Sequence, residues 1–158
     1  MLKGSRITLR PLLMSDLLFL KSIENNNENW QYGTEEKVYN SAELITYINN
    51  SKTDINVAKQ YRFVIDYNSF PIGFIDLFNF TAESVYIGII ISKENRNRGF
   101  AKESLELIIN YSFMSLKVNK IYATVSIDNS NSIKLFKSCC FVIKEQHLDS
   151  TYTLVIDK

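Results

Sequence analysis

The sequence predicts a mixed α/β (α+β) fold, in which a mostly antiparallel, twisted sheet of about six to seven strands is flanked by about four helices. Between residues 61 and 91 the apolar residues recur with a period of two and polar turns interrupt them, which predicts an antiparallel meander. A helical pattern then separates two apolar stretches at residues 85–91 and 120–126. Because a strand, helix, strand passage implies parallel pairing, we expect one central parallel βαβ unit in the sheet.

Changes of apolar period and capping residues indicate the elements of the N-terminal half. Ile7 and Leu9 alternate with polar residues, which predicts a short strand. Two stretches with apolar residues at helical spacing follow, and capping candidates precede them, Ser15 or Asp16 for the first and Ser41 for the second. The predicted elements are a strand at 6–10, helices at 16–24 and 42–50, a loop or ragged helical turn at 51–59, and strands at 61–66 and 71–78.

The C-terminal half begins with a stretch, residues 85–103, that combines a strand, a basic turn and a helix start. Residues 85–91 are apolar or Gly, the turn after them is rich in Arg and Asn, and Gly99 opens a segment with apolar residues at helical spacing. Further on, Asn129 is a suitable helix cap. The predicted elements are a strand at 85–91, a helix at 99–114, a strand at 120–126, a helix at 129–139 and strands at 141–145 and 152–156.

The composition is that of one globular domain spanning residues 1–158. The chain is 46% hydrophobic and 22% charged, which fits a buried core and excludes a disordered chain. A formal net charge of +1 excludes nucleic acid as the main partner, and the apolar runs are too short for a membrane span. Cys139 and Cys140 are adjacent, which disfavours a disulfide between them, so we expect a cytoplasmic protein.

The basic turn is suited to a phosphate or pyrophosphate group. A helix start presents unpaired backbone N–H groups and the positive end of the helix dipole. Arg96 and Arg98 add positive charge at this point, while Gly99 and Ala101 let the backbone approach a ligand closely. An ordinary strand-to-helix turn with exposed arginines is the alternative.

The turn and two further stretches together resemble the GNAT superfamily of acyl-CoA-dependent N-acetyltransferases. Residues 96–101 fit R-x-x-G-x-A at the junction where that family has Q/R-x-x-G-x-G/A, and residues 129–141 are similar to its N-x-x-S-x-x-L-Y-x-x-x-G-F. The opening, Arg6 to Pro11 with Asp16, is similar to the branch that contains ribosomal-protein alanine and spermidine acetyltransferases. The resemblance covers essentially the whole chain.

The resemblance implies acetyl-CoA as the coenzyme. The N–H groups of residues 98–101 would hold its pyrophosphate, and residues 89–91 would run beside its pantetheine arm. The N–H of Ile89 would act as an oxyanion donor. Asn129 matches a coenzyme-contacting Asn but is equally apt as a helix cap, and Ser132 also fits a purely structural role. The implied coenzyme residues are Ile89, Ile90, Ile91, Arg96, Asn97, Arg98, Gly99, Phe100, Ala101, Lys102, Asn129, Ser132 and Phe136.

Two residues depart from the family pattern. Phe136 stands where the family has a Tyr that is often proposed to protonate the leaving thiolate, and Phe cannot donate a proton. Tyr86, Tyr111, Tyr122 and water remain open as donors. Cys140 stands where the family has Gly, and a left-handed conformation there would cost on the order of 1 kcal/mol.

The acceptor site should come from the irregular stretch between the first two helices. This stretch and its flanks are rich in acids and aromatic residues, which suits an ammonium group by charge and by cation–π attraction, although a solvated surface is the alternative. The predicted substrate residues are Glu28, Trp30, Tyr32, Glu35 and Glu36. Glu83 and Tyr86 are the expected contacts at the reacting amine, and Glu83, or a water held by it, is the candidate base.

The sequence therefore predicts an N-acetyltransferase that acts by direct attack of a primary amine on acetyl-CoA. A small cationic amine such as a polyamine is the favoured acceptor, with a protein N-terminus or an amino sugar as alternatives. Because of Phe136, a non-catalytic acyl-CoA-binding module also stays open. No metal site is indicated by one His and two adjacent Cys, and a homodimer or higher homo-oligomer is left open.

Overall fold

A single eight-stranded sheet organises the part of the chain that the computed structural model describes, which is residues 1–32 and 36–158, with the Tyr32 side chain left out. The strands lie in the order β1-β2-β3-β4-β5-β6-β8-β7. They are β1 (Leu2–Lys3), β2 (Ile7–Pro11), β3 (Tyr61–Tyr67), β4 (Phe70–Phe78), β5 (Ser84–Ile91), β6 (Lys120–Ser126), β7 (Val142–Gln146) and β8 (Thr151–Asp157). The α-helices are α1 (Leu17–Glu24), α2 (Ser41–Asn50), α3 (Ile55–Ala58), α4 (Phe100–Met114) and α5 (Ser130–Ser138), and short 3-10 helices cover Met14–Asp16, Asn27–Tyr32 and Lys93–Asn95.

The sheet is antiparallel except at its centre, where β5 and β6 run parallel. Only three residue pairs join these two strands, from Ser84 with Lys120 to Tyr86 with Tyr122. β5 then continues to Ile91 without a β6 partner, so the two strands splay apart. The mixed fold with a central parallel βαβ splay is therefore confirmed.

Helices cover both faces of the sheet. On one face, α4 and α5 pack against strand residues such as Ile75 and Ile87 in the larger hydrophobic core. On the other face, α1 and α2 cover Val64 and Phe74, with Ile90 packed against this second core. Within the described residues, no helix is both long enough and apolar enough to traverse a lipid bilayer.

The sequence missed β1 and misplaced one helix cap. β1 has two residues, too few for a periodic pattern, and it raises the number of strands to eight. The prediction that Ser41 caps the second helix was wrong. The cap of α2 is Asn40, whose Oδ1 accepts a hydrogen bond from the Glu43 N–H at 2.9 Å. The Glu43 carboxylate accepts from the Asn40 N–H at 3.0 Å, which completes a capping box.

Asp16 also has a role other than the expected cap. Its side chain makes no capping hydrogen bond to α1 and instead accepts from the Leu13 N–H at 2.8 Å. Both Asp16 oxygens accept hydrogen bonds from the Arg10 guanidinium at 2.8 Å, and Arg10 Nε donates to Asp66 at 2.7 Å. This partly buried ion network ties β2 and β3 to the start of α1.

Cys140 follows the end of α5 with a φ of +69°. This is the left-handed conformation that Gly adopts without a Cβ penalty. The turn is held by the Cys140 N–H, which donates to the Lys137 carbonyl at 3.0 Å, and by the Phe141 N–H, which donates to the Phe136 carbonyl at 3.1 Å.

Candidate active site

The turn between β5 and α4 presents a row of backbone N–H groups. Gly99 precedes α4 with a φ of +83°, and Glu103 is the first residue of the helix whose N–H reaches a carbonyl of the turn, that of Gly99, at 3.2 Å. Among the described residues, none accepts a hydrogen bond from the N–H groups of residues 99–102. Together with the dipole of this 15-residue helix, these donors make the turn an anion-binding surface.

A shallow cleft of about 300 Å³ lies in front of these N–H groups. Most of the residues expected to hold a coenzyme line it, namely Ile89, Ile90, Ile91, Arg96, Asn97, Gly99, Phe100, Ala101, Lys102, Asn129 and Ser132. The sequence missed three more lining residues, which are Asn95, Asn131 and Leu135. Asn131 and Leu135 belong to α5, whose approach to the turn depends on the packing of α5 against α4.

The two arginines of the turn, Arg96 and Arg98, differ in their contacts and in their position relative to the cleft. The guanidinium of Arg96 donates to the Ile91 carbonyl at 2.8 Å and to Asn29 Oδ1 at 3.1 Å, while Arg96 also lines the cleft. Arg98 does not line it. Its guanidinium lies over the ring of Phe100, 4.9 Å from the centroid, and donates a hydrogen bond to Asn95 Oδ1 at 3.2 Å, so Arg98 packs against two residues that line the cleft without lining it itself.

The splay exposes the backbone of Ile89. The N–H of Ser92 donates to the Ile72 carbonyl of β4 at 2.8 Å. Backbone groups alternate in direction along a strand, so the N–H groups of Ile91 and Ile89 point the other way, into the space from which β6 has separated. The Ile91 carbonyl, which accepts from Arg96, points in the same direction.

A larger cleft of about 650 Å³ adjoins the first one at the splay. Both clefts are lined by Ile89, Ile90, Asn129 and Ser132, so they form one continuous depression. The remaining lining residues of the larger cleft are Leu20, Glu24, Trp30, Gln31, Tyr39, Glu43, Leu44, Tyr47, Arg62, Asp76, Phe78, Ile87, Gly88, Thr124, Val125, Ser126, Phe136 and Thr151. The polar residues among them are mostly acids and hydroxyls.

An ion network forms one wall of the larger cleft. Arg62 donates two hydrogen bonds to the Asp76 carboxylate, at 2.6 and 2.8 Å, and one to Glu24 at 2.7 Å. Burial opposes the charge of Arg62, but the ion pairs with Asp76 and Glu24 outweigh it and raise the pKa of Arg62. The guanidinium also lies over the ring of Tyr47. Burial raises the pKa of Tyr47, so its phenol keeps its proton at neutral pH.

A third acid, Glu43, lines the same cleft from the start of α2. The hydrogen bond from the Asn40 N–H and then the contact with Lys37 hold the pKa of Glu43 below its usual value. The lining therefore carries three carboxylates and one guanidinium, which leaves the cleft with an excess of negative charge at neutral pH.

Asn129 and Phe136 connect the two clefts to α5. Asn129 Oδ1 accepts a hydrogen bond from the Ser132 N–H at 3.2 Å, so Asn129 caps the helix and lines both clefts at once. Phe136 is buried, packs edge-on against Phe141 with ring centroids 5.1 Å apart, and forms part of the wall of the larger cleft.

Of the residues expected to act in catalysis, Ile89 lines the clefts, whereas Glu83 and Tyr86 lie outside them. Glu83 is exposed, directly precedes β5, and accepts a hydrogen bond from Asn119 Nδ2 at 2.8 Å. It is six residues before Ile89, and six extended residues span about 20 Å, so the geometry does not support Glu83 as the base. Tyr86 lies between the rings of Phe78 and Tyr122 and lines neither cleft.

The expected substrate residues are only partly brought together. Trp30 lines the larger cleft, and its Nε1 donates to the Glu24 carbonyl at 3.4 Å. Glu28 is exposed, pairs with Lys93 at 3.4 Å and lies outside the lining, as does Glu36. The Tyr32 side chain and Glu35 lie outside the described residues.

The sequence reasoning missed Arg62 and Asp76, which contribute most to the polar wall. Each is a charged residue that interrupts the apolar residues of its strand, and the two are directly opposite each other in the register of β3 and β4. Opposite charges that interrupt consecutive apolar strands were the available signal. The described residues contain no group of three or more His, Cys, Asp or Glu side chains suited to a metal ion.

Known proteins share both the sequence pattern and the fold. The model of the acetyltransferase (GNAT) domain matches residues 6–142. The spermidine N(1)-acetyltransferase of Vibrio cholerae serotype O1 is 33% identical over 148 residues, which cover 92% of this chain and 83% of that protein. The spermidine N(1)-acetyltransferase of Escherichia coli is 26% identical over 140 residues, which cover 87% of this chain and 74% of that protein.

Solved structures agree with these sequence relationships. A crystal structure of spermidine N-acetyltransferase from Vibrio cholerae in complex with CoA and spermine has a TM-score of 0.88 and 27% identity, covering 98% of this chain and 96% of that one. A dodecameric structure of the Vibrio cholerae enzyme has a TM-score of 0.81, 27% identity, and coverage of 98% and 95%. The match of the family model over most of the chain, at a site built around the splay and the N–H row, means that the chain belongs to the GNAT family and is an acyl-CoA-dependent N-acetyltransferase.

Proposed function

We propose that this chain transfers the acetyl group of acetyl-CoA to a primary amine of a small linear polycation such as a polyamine. The observation that carries this proposal is the larger cleft, which begins at Ile89 and is lined by the carboxylates of Glu24, Glu43 and Asp76 among aromatic rings. Carboxylates select ammonium groups, and aromatic faces add cation–π attraction. The relatives in Vibrio cholerae and Escherichia coli, both spermidine N(1)-acetyltransferases, support the same acceptor class.

The residues of the turn fit the coenzyme. The free N–H groups of residues 99–102 suit its pyrophosphate, and Lys102 and Arg96 supply positive charge in the same cleft. The coenzyme supplies an acetyl group activated as a thioester. The N–H of Ile89, which faces the splay, is placed to donate a hydrogen bond to negative charge that develops on the acetyl oxygen.

We propose that Asp76, and not Glu83, orients the amine. Asp76 is paired with Gly88 across β4 and β5, next to Ile89, and Gly88 has no side chain to separate it from the reacting centre. The two hydrogen bonds from Arg62 fix the orientation of the Asp76 carboxylate. In this role Asp76 accepts a hydrogen bond from the amine and takes the proton that the amine loses, either directly or through a bridging water molecule.

Phe136 supplies no proton to the departing CoA thiolate. We propose that water in the open cleft does so, held by hydroxyl groups such as those of Thr124, Ser126 and Thr151. A thiol needs less assistance to leave than an alcohol or amine because its pKa is lower. This is the point at which the chain departs from the mechanism that the family pattern implies.

The proposed acceptor is tested by acetylation assays on the purified protein. Acetyl-CoA is combined separately with spermidine, spermine, a peptide with a free N-terminus and an amino sugar, and free thiol and N-acetylated product are measured. We expect a kcat/KM for the polyamines at least about tenfold above the other acceptors, since charge-assisted contacts contribute about 1.5–3 kcal/mol each. Turnover confined to the peptide or the amino sugar would overturn the polyamine assignment.

A matched pair of variants tests the acid-lined cleft itself. Glu24→Gln removes one carboxylate from the lining, whereas Glu28→Gln makes the same chemical change at an exposed acid outside it. We expect Glu24→Gln to raise KM for the polyamine about tenfold and Glu28→Gln to leave it within twofold. Equal effects of the two variants would show that the polyamine senses only the overall charge.

We also propose that the chain forms a homo-oligomer. The dodecameric Vibrio cholerae structure supports this, and edge strand β7 leaves Val142 and Ile143 exposed. Light scattering after size exclusion gives the mass in solution, and a mass of about 18.3 kDa, that of one chain, would contradict the proposal.

A further inference from the structure

We propose that Arg6 is a positioning residue of the coenzyme turn: it holds the Arg98 carbonyl and thereby directs the Gly99 N–H into the coenzyme cleft. This inference rests on the proposed coenzyme site. Arg6 precedes β2 and is far from the turn in sequence, and it lines neither cleft. Its action on the coenzyme is therefore through the backbone of the turn.

Arg6 is fixed between the start of β2 and the first turn of α4. Its Nη1 donates to the Arg98 carbonyl at 2.8 Å, and its Nε donates to the Glu103 carboxylate at 3.0 Å. Glu103 in turn accepts from the N–H groups of Arg6 and Ile7, at 2.7 and 3.2 Å. The guanidinium also lies 4.7 Å from the centroid of the Phe100 ring. These contacts hold the guanidinium between the start of β2 and the first turn of α4.

The orientation of one peptide unit links Arg6 to the cleft. The carbonyl of Arg98 and the N–H of Gly99 belong to the same planar peptide group, and the described peptide bonds are all trans. In a trans peptide these two groups point in opposite directions. Because the Arg98 carbonyl points toward Arg6, the Gly99 N–H points away from it. Gly99 lines the cleft, so its N–H is available there.

Arg6 also gives a second reason for Gly at position 99. A Cβ added to Gly99 would lie 3.0 Å from Arg6 Nη2, closer than an ordinary van der Waals contact. The positive φ of +83° disfavours any other residue as well. The absence of a side chain at Gly99 thus serves the approach of Arg6 from behind the turn in addition to the approach of a ligand from the front.

Arg6 could favour coenzyme binding in two ways that experiments can separate, through its charge or through the fixed directions of its hydrogen bonds. The Arg6 side chain is 45% exposed, so solvent screens its direct attraction for phosphates. A guanidinium can donate to a carbonyl and a carboxylate at once in fixed directions, which a Lys ammonium cannot reproduce. A positioning role therefore predicts that Arg6→Lys behaves like Arg6→Gln, whereas a charge role predicts that it behaves like the wild type.

The test measures binding of CoA by calorimetry, well below the melting temperature of each variant. We expect Arg6→Gln and Arg6→Lys each to raise Kd for CoA at least about tenfold, because the Gly99 N–H would donate its hydrogen bond to a charged phosphate. Lys3→Gln removes the same charge from an exposed residue of β1 and should leave Kd within twofold. In steady-state kinetics, KM for acetyl-CoA should rise while KM for the amine stays within twofold.

A direct readout of the Gly99 N–H completes the test. Selective labelling with ¹⁵N-glycine gives five amide signals at most, because the chain has five glycines, and Gly99→Ala identifies the relevant one. We expect CoA to shift the Gly99 signal strongly in the wild type and weakly in Arg6→Gln. An unchanged shift and unchanged Kd in Arg6→Gln, with only a lower melting temperature, would overturn the positioning role. Failure of the wild type to bind CoA would instead overturn the proposed coenzyme site.

Discussion

Arg96 Nη2 donates a hydrogen bond to Asn29 Oδ1 at 3.1 Å, and this contact joins the coenzyme turn to the segment that carries Trp30. Asn29 is buried and its Nδ2 donates to the Ile23 carbonyl at 3.1 Å. The same Arg96 side chain donates to the end of β5. A chain of hydrogen bonds therefore links the end of α1, the 3-10 helix that carries Trp30, and the turn between β5 and α4.

Asn29→Ala should lower the stability of the protein and weaken the binding of both acetyl-CoA and the amine. Removing the amide takes one hydrogen bond from the Arg96 guanidinium and one from the Ile23 carbonyl, so we expect a loss of about 1–3 kcal/mol in the free energy of unfolding. KM should rise several-fold for both acetyl-CoA and the amine. Denaturant titration and initial-rate kinetics measure these effects.

Lys93→Ala is the control for Asn29→Ala. It removes another link between the same two segments, the Lys93–Glu28 pair, in which both side chains are more than half exposed. Exposed pairs contribute little, so stability and both KM values should stay near those of the wild type. An effect of Lys93→Ala as large as that of Asn29→Ala would contradict the importance of the buried link.

Phe136→Tyr should raise kcat. A phenol at this wall of the larger cleft would restore a proton donor where Phe136 has none, and general acid catalysis contributes about 10²–10⁴ in rate when it is well aligned. We expect an increase of at least about tenfold in kcat, measured at saturating amine and acetyl-CoA. Phe136→Leu, which removes the ring without adding a donor, should leave kcat within about threefold. A kcat for Phe136→Tyr at or below the wild-type value would mean that proton delivery does not limit turnover.

Cys140→Gly should stabilise the fold. The φ of +69° at Cys140 strains a residue with a Cβ, and relief of this strain is worth about 1 kcal/mol, reduced by the greater chain entropy of unfolded Gly. We expect the free energy of unfolding to rise by about 0.5 kcal/mol or more, measured by denaturant titration. Cys140→Ala removes the thiol but keeps the Cβ, so it should give no such gain.

The Arg10–Asp16 pair makes stability depend on pH at the acid end. Burial alone would raise the pKa of Asp16, but hydrogen bonds from Arg10 and the Leu13 N–H outweigh it and the net pKa is lowered from 3.8. A carboxyl with a lowered folded pKa contributes stability that is full above its unfolded pKa and is lost as the pH falls through the folded pKa. Asp16→Asn should therefore cost about 3 kcal/mol at pH 7, and this difference should shrink below pH 3.8.

Asp157→Asn is the matched control for the pH dependence predicted for Asp16→Asn. Asp157 pairs with Lys120 at the surface, where 64% of the Asp157 side chain is exposed. Because solvent screens this pair, the midpoint of denaturant unfolding of Asp157→Asn should stay close to that of the wild type at pH 3 and at pH 7. If Asp16→Asn showed the same loss at pH 3 as at pH 7, the network would not be the source of the pH dependence.

The coenzyme side was largely predictable from sequence because its determinants are local. The apolar run that ends at Ile91, the basic turn and Gly99 follow one another along the chain, so their spacing alone predicts the strand, the turn and the free N–H groups. The side-chain direction of Arg98 was not predictable. It depends on the rings of Phe100 and Tyr67, and Tyr67 comes from another strand.

The cleft proposed for the acceptor was predicted less well because residues that are far apart in the sequence assemble it. Glu24, Arg62 and Asp76 meet only through the register of β3 and β4 and the docking of α1 on the sheet. Glu83 was a poor candidate for a base for the opposite reason. It is near Ile89 in sequence, but an extended strand carries the two residues far apart.

The splay between β5 and β6 also bears on the order of events in turnover. It connects the cleft in front of α4 and α5 with the cleft beneath α1 and α2, and Ile89 lines both. The sites proposed for the acetyl donor and the amine can therefore be occupied at the same time, from two sides of the sheet, and they adjoin at Ile89. A ternary complex of this kind makes a covalent acetyl-protein intermediate unnecessary.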